Sequence, residues 1–284
     1  MNLPFLGPEA VAALGAAAAA DALEAALRDG LDPEADPARA VLPVGAGQLL
    51  VMPSTAGPAP AVKLVTVGGA PRVQGVCVVF DRETLAPRAL VDGIALTTLR
   101  TASVSALAVR HLAVPDARRL VVFGRGPQAH AHVASMRAVR PIEQVELLGR
   151  DAADVDARVA RADIVCCCTT ASEPLFDGDA VADHATVVAV GSHEPHVRET
   201  DERLAARATV VVESPASALR EAGDVLLAIA AGALRAEDLV SLADVVRGTA
   251  APAAERPRLF KSTGMAWEDA VVAAAAVASQ SPRD

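Results

Sequence analysis

The chain has 284 residues and a formal charge of −9; 52% of it is hydrophobic, with no tyrosine, one tryptophan and five phenylalanines. Sparse aromatic rings and net negative charge exclude base stacking on nucleic acid and broad attraction to anionic membranes as main binding modes. The length suits one large domain or two small ones around a sizeable core, and no window of about 18 residues runs without a charge or a breaker, so no membrane-spanning helix is expected.

The N-terminus "MNLPFLGPEA" lacks the basic stretch of a secretory signal, and the expected compartment is the cytoplasm. Pro8 to Asp29 reads as one helix, with proline near its start and Gly30 just past its end. Residues 31–47, rich in Pro, Asp and Gly, read as loop or edge. "QLLVMPS" and "APAVKLVTV" read as strands, and "QGVCVVFDRETLAPRALVDG" as two strands joined by a turn. Residues 95–113 have helical spacing. This first part mixes strands and helices without regular alternation.

The pattern changes after Pro115. "RRLVVFG" is a short buried strand, "PQAHAHVASMRAV" a helix, "EQVELLGR" a second strand, "AADVDARVARA" a short helix and "DIVCCCTT" a third strand. "ATVVAVGS" and "ATVVVES" follow, with helical "DERLAARA" between them, and "KSTGMAWEDAVVAAAAVAS" closes the chain as a capped helix. Strands alternating with helices predict a parallel sheet covered on both faces. The cysteines are Cys77 and the run Cys166, Cys167, Cys168. Neighbours on a strand point to opposite faces, so the run cannot converge on one metal. They read as buried, reduced thiols, and no metal site is expected.

Gly124, Gly126 and Ala129 fit the spacing G-x-G-x-x-G/A, between a strand and a helix. The first glycine makes the tight turn, the second lets the backbone approach a pyrophosphate, and the third small residue lets helix pack on strand. The helix that follows, with Pro127 in its first turn, offers free N–H groups to the phosphates. A plain structural turn is the alternative. At the end of the second strand, Gly149-Arg150-Asp151, an arginine favours a 2′-phosphate and an acid the free ribose hydroxyls. Arg150 comes first and points to NADP(H). Asp151 keeps NAD(H) open, and a solvated charge pair is the bland alternative.

Four segments together resemble the ornithine cyclodeaminase/mu-crystallin family: "LVDGIALTTLRTASVSALAVRHLA", "VVFGRGPQAHAH", "ATVVAVGSHEPHVRETDERLAARATVVVES" and "KSTGMAWEDAVVAAAA". They cover nearly the whole chain in order. The resemblance implies two domains. A substrate-binding and dimerisation domain of α+β build would take residues 1–114 with 258–284, and a Rossmann NAD(P)-binding domain residues 115–257. It implies a homodimer acting on small amino or imino acids. It matches Arg39, Lys63 and Arg100 to the positions that bind the substrate carboxylate, and puts Thr101, Gln128 and Ser262 near the cofactor; Pro127, Arg150, Thr169 and Val190 are counted with them. Such cations suit a carboxylate in a closed site, where arginine gives two donors in a fixed fork. Lys63 stands out without the family, because it interrupts an apolar strand. A lysine guarding an edge strand would do the same.

Two departures matter. The cyclodeaminases of the family carry an Asp where this chain has His193, in Gly191-Ser192-His193-Glu194-Pro195. Histidine titrates near neutrality and suits a reductase that manages one proton. GSHEP-type turns are similar to those of the family's Δ1-pyrroline-2-carboxylate reductases. His193 is therefore read as catalytic together with Lys63, with Glu194 as a rival proton carrier and a purely structural histidine as the bland alternative. Second, only 12 residues separate Arg150 from Asp163, too few for the extra strand and full crossover helix that the family inserts there. A trimmed Rossmann sheet is expected.

The expected activity is NAD(P)H-dependent reduction of a small cyclic imino acid, with NADP(H) favoured. The alternatives are an ornithine cyclodeaminase-type lyase, an amino-acid dehydrogenase such as alanine dehydrogenase, and a crystallin-like binder of NADP(H) and a small ligand without turnover.

Overall fold

The computed structural model describes residues 3–280. The chain forms two compact units: residues up to Val104 together with those from Met265 onward, and Ser105–Gly264.

The first unit opens with β1 (Phe5–Leu6), α1 (Pro8–Ala12) and α2 (Ala16–Arg28). The single helix expected over Pro8–Asp29 is thus two. Gly15 breaks it at φ 77°, a conformation that side-chain-bearing residues avoid. Next come β2 (Ala40–Val44), β3 (Gly47–Ser54), β4 (Ala61–Val67), β5 (Val73–Phe80) and β6 (Pro87–Asp92). They form a sheet in the order β1-β6-β5-β4-β3-β2, antiparallel except where β1 joins β6. α3 (Gly93–Leu112) begins where Asp92 Oδ1 accepts from the amides of Ile94 (3.0 Å) and Ala95 (2.8 Å), an N-terminal cap.

The second unit is a parallel sheet. β7 (Arg119–Phe123), α4 (Pro127–Val139), β8 (Gln144–Leu148), α5 (Val155–Val159) and β9 (Ile164–Cys167) come first. Then follow β10 (Thr186–Ala189), α6 (Glu202–Arg207), β11 (Thr209–Val212), α7 (Pro215–Glu221), α8 (Gly223–Ala230), β12 (Val240–Ser241), α9 (Leu242–Arg247) and β13 (Arg258–Lys261). The order is β12-β11-β13-β10-β9-β7-β8, with every pairing parallel. β9, β10 and β13 are buried throughout, as expected of central strands covered on both faces. β8 ends the sheet, and α5 is the one helix between it and β9, so the Rossmann sheet is trimmed as the short spacing predicts.

β13 corrects the sequence reading, which grouped residues 258–261 with the final helix. The strand lies between β10 and β11. Its two charged ends hid it: the Arg258 guanidinium is buried and donates to the carbonyls of Leu112 (2.9 Å), His184 (2.7 Å) and Arg256 (3.0 Å). The final helix, α10 (Ala266–Gln280), returns to the first unit, where it packs across β3, β4 and β5 and against α1 and α2.

Candidate active site

In the second unit, all strands run the same way, so the segments after their last residues gather along one edge of the sheet. That edge is where ligands of such folds bind. Gly124 and Gly126 follow β7, Arg150 follows β8, Thr169 follows β9, Val190 and His193 follow β10, and Ser262 follows β13. Residues scattered over 139 positions of sequence, Gly124 to Ser262 inclusive, thus share one edge.

The glycine loop fits a dinucleotide. Gly124 has φ 114°, and a Cβ there would lie 2.6 Å from the Cys168 carbonyl oxygen, so only glycine makes the turn. A Cβ on Gly126 would meet no atom within 4 Å. The second glycine therefore faces open space, where a pyrophosphate can approach the start of α4. Pro127 opens the helix, Gln128 is half-buried, and Ala129 is buried beside Gly124. His132, fully buried, stiffens this turn. Its Nδ1 lies 2.8 Å from the Gln128 carbonyl and its Nε2 3.0 Å from Ser105 Oγ. A carbonyl only accepts, so Nδ1 carries the hydrogen and Nε2 accepts from the serine. Burial pushes the imidazole down to about 4, leaving it neutral at ordinary pH.

The turn that carries His193 is anchored by a buried charge network that the sequence reading missed. Glu199 accepts from the Gly191 amide (2.7 Å) through Oε2, and from the amide (2.8 Å) and hydroxyl (2.7 Å) of Thr169 through Oε1. Asp224 Oδ1 accepts from the amides of Glu199 (2.9 Å) and Thr200 (2.8 Å), and its Oδ2 pairs with Lys261 Nζ at 2.9 Å. Lys261 donates to the Ser192 carbonyl at 2.8 Å. Burial raises the Glu199 carboxyl, opposed by Lys261; for Asp224 the lysine overcomes burial and the carboxyl falls below its usual range. Val190 extends β10 by donating to the Cys167 carbonyl (3.1 Å). Ser262 Oγ donates to buried Glu213 at 2.5 Å, whose other oxygen takes the amides of Thr263 and Gly264, both at 3.0 Å. The His193 and Glu194 side chains are exposed.

Past β8, Arg150 is exposed in the turn, and a second arginine, which sequence reasoning overlooked, joins it. A Cβ on Gly149 would lie 3.1 Å from Arg125 Cζ, so the Arg125 guanidinium lies across the end of β8. Among the described residues neither Arg125 nor Arg150 makes a side-chain hydrogen bond or ion pair. Asp151 is also close, with Oδ1 3.0 Å from the same Cβ position.

In the first unit, Lys63 sits on β4, between β3 and β5, and is 2% exposed. It is therefore not an edge-strand guard. Its Nζ lies 2.8 Å from Asp269 Oδ1, 2.7 Å from Oδ2 and 3.2 Å from Thr97 Oγ1. Arg100, on α3 beside buried Thr101, donates to Glu268 Oε2 at 2.7 Å, and its Nε lies 3.2 Å from Asp269 Oδ1. Two of the three expected cations thus meet on one carboxylate. The third, Arg39, is half-buried in the segment leading into β2. Burial pulls the Lys63 ammonium down to about 8; Asp269 opposes the shift and Arg100 adds to it. Burial pushes the neighbouring Cys77 thiol up to about 12, so it stays protonated.

The family model described as "Ornithine cyclodeaminase/mu-crystallin family" matches residues 10–157 and 150–281. The chain is 37% identical to the Δ1-pyrroline-2-carboxylate reductase of Colwellia psychrerythraea over 219 residues, 68% of this chain and 69% of the relative. It is 33% identical to the ketimine reductase mu-crystallin of Rattus norvegicus over 264 residues, 84% and 82% of the two chains. The structure of Thermococcus litoralis Δ1-pyrroline-2-carboxylate reductase in complex with NADH and L-proline superposes with a TM-score of 0.88 at 25% identity, covering 97% of each chain.

Proposed function

The chain belongs to the ornithine cyclodeaminase/mu-crystallin family, and from that membership we propose that it is an NAD(P)H-dependent imino-acid reductase. Its substrate is a small cyclic imino acid, Δ1-pyrroline-2-carboxylate or its six-membered homologue Δ1-piperideine-2-carboxylate, and its product the L-amino acid. The observation that carries this reading is the pair of buried cations, Lys63 and Arg100, in a chain whose other unit has a glycine loop open to a pyrophosphate. The names of the reductase relatives support it.

The bound nicotinamide supplies hydride. The protein's residues do the rest. Lys63, Arg100 and Arg39 hold the carboxylate with charge-assisted donors, which fixes the ring and turns binding into proximity. Gly124, Gly126, Pro127 and Gln128 present the start of α4 to the phosphates, and Thr101, Thr169, Val190 and Ser262 complete the cofactor's surroundings. His193 orients the imine or handles its proton. An Asp there would stay anionic, as an ammonia-expelling lyase requires, whereas histidine changes charge near neutrality. Arg125 and Arg150 favour NADP(H) through its 2′-phosphate, and Asp151 keeps NAD(H) usable. The protein works in the cytoplasm as a homodimer.

The test is oxidation of NADPH and NADH, followed in parallel with five- and six-membered cyclic imines offered. Consumption of either cofactor with at least one imine is expected, faster with NADPH. Release of ammonia from L-ornithine with catalytic NAD, and no imine-dependent cofactor oxidation, overturns the reading.

A further inference from the structure

The two cations on β4 and α3 each lie against a buried carboxylate. Lys63 and Arg100 are matched by Asp269 and Glu268, and these side chains are 8% exposed or less. Even with Arg39 counted as the third cation of the clamp, two buried carboxylates sit against the other two, which a cluster built only to hold an anion would not need. Here a carboxylate held by Lys63 would lie near the Asp269 carboxylate, because the two side chains are 2.7 Å apart. At close range and with little water, like charges repel strongly. A ligand that fits such a cluster carries both signs of charge, a few ångströms apart.

We propose that Asp269 is a specificity residue that takes the cationic nitrogen of the substrate while Lys63 and Arg100 take its carboxylate, so that the site selects a protonated imino acid over a plain anion of the same shape. The inference rests on the reading of Lys63 and Arg100 as substrate-binding cations. A carboxylate offers about four lone-pair positions, so contacts with Lys63 and Arg100 leave Asp269 further capacity to accept. In a 2-imino acid the nitrogen and the carboxylate share one carbon, which matches the close alternation of charges in the cluster.

The chemistry is consistent. The protonated imine is the electrophile. As hydride forms the new C–H bond at C2, the π pair of the C=N bond becomes the nitrogen lone pair and the positive charge vanishes. No proton is needed in that step. Asp269 therefore acts before it, by holding the imine in its protonated form. Its removal raises KM, because a ground-state contact with the charged imine is lost.

The experiment compares L-proline with cyclopentanecarboxylate, acids of one shape that differ in the ammonium group. Binding to the full chain is read by calorimetry or by competition against the imine. L-Proline is expected to bind the wild type about tenfold tighter or more. Asp269→Asn is expected to erase that preference while cyclopentanecarboxylate binds no worse, and Asp269→Glu to retain it. A purely structural Asp269 would instead weaken both acids equally and leave the ratio unchanged, which overturns the proposal. Equal binding of the two acids to the wild type overturns it without any variant, should Asp269→Asn not fold. Binding of neither acid sinks the substrate-site reading itself, and this inference with it.

Discussion

Lys63 pays for its burial in basicity. Its ammonium, held near 8, faces Asp269 from α10, Arg100 and Thr97 from α3, and the protonated Cys77 thiol from β5. Stability and substrate affinity should then move in opposite directions as pH rises from about 8 towards the ordinary lysine range. The folded chain has lost the proton there while the unfolded chain still binds it, so this residue's contribution to stability rises with pH. The carboxylate clamp loses a cation, so KM for the imino acid rises over the same range. Steady-state kinetics and thermal melts from pH 7 to about 10 check both. A KM that stays flat to pH 10 would remove Lys63 from the substrate. In the same vein, Lys63→Ala should lower kcat/KM for the imine at least about thirtyfold, the cost of leaving a buried partner unpaired. Nucleotide affinity, which rests mainly on the glycine loop of the other unit, should stay unchanged by fluorescence titration. Lys63 was legible in the sequence because a charge inside "AVKLV" breaks an apolar strand. Its partner was not, because Asp269 is 206 positions away and looks like an ordinary first-turn acid of a capped helix. Glu199, Asp224 and Lys261 were hidden for the same reason: only the fold shows that they are buried together.

At the scale of elements, the strand-turn-helix from Arg119 to Val139 was fully readable, because each glycine has a local task. The two tasks differ, and so should the effects of alanine. Gly124→Ala forces φ 114° on a side-chain-bearing residue and drives its Cβ to 2.6 Å from a backbone carbonyl. A cost of about 2–3 kcal/mol is expected, a fall in Tm on the order of 4–10 °C for a chain of this size. Gly126→Ala has φ −84° and open space, so the melt should hold or rise slightly. Its methyl would occupy the phosphate's approach, and NADPH affinity should fall about tenfold or more. Calorimetric melts and nucleotide titrations separate the two. Equal affinity loss without destabilisation in both variants would mean that the loop's strain had been misjudged. Less regular elements escaped the sequence. Gly15 splits a run whose Ala-rich composition reads as continuous helix, and β13 is a four-residue strand with charged ends whose place in the sheet depends on β10 and β11. Residues 215–247 carry three short α-helices and the two-residue β12, whose lengths give periodicity little to work with.

For the whole molecule, the first unit's sheet leaves one edge that needs explaining. All five residues of β2 are exposed, and Val41, Leu42 and Val44 keep about half their surface in solvent. Adjacent strand residues point to opposite faces, so both faces of this edge are bare. Soluble monomers blunt such edges with charge or proline; β2 has only Pro43. A second copy of the chain covering β2 accounts for the apolar composition, in line with the proposed homodimer. Arg39 stands one residue before this strand, so the dimer contact and the third carboxylate-binding cation depend on the same backbone. Leu42→Asp with Val44→Lys should therefore yield a monomer by light scattering. Its KM for the imino acid should rise severalfold, while NADPH affinity stays the same, because the cofactor loop belongs to the unit that holds none of these residues. A charged variant that remains dimeric would place the contact elsewhere. A monomer with unchanged KM would show that Arg39 is ordered without help from β2.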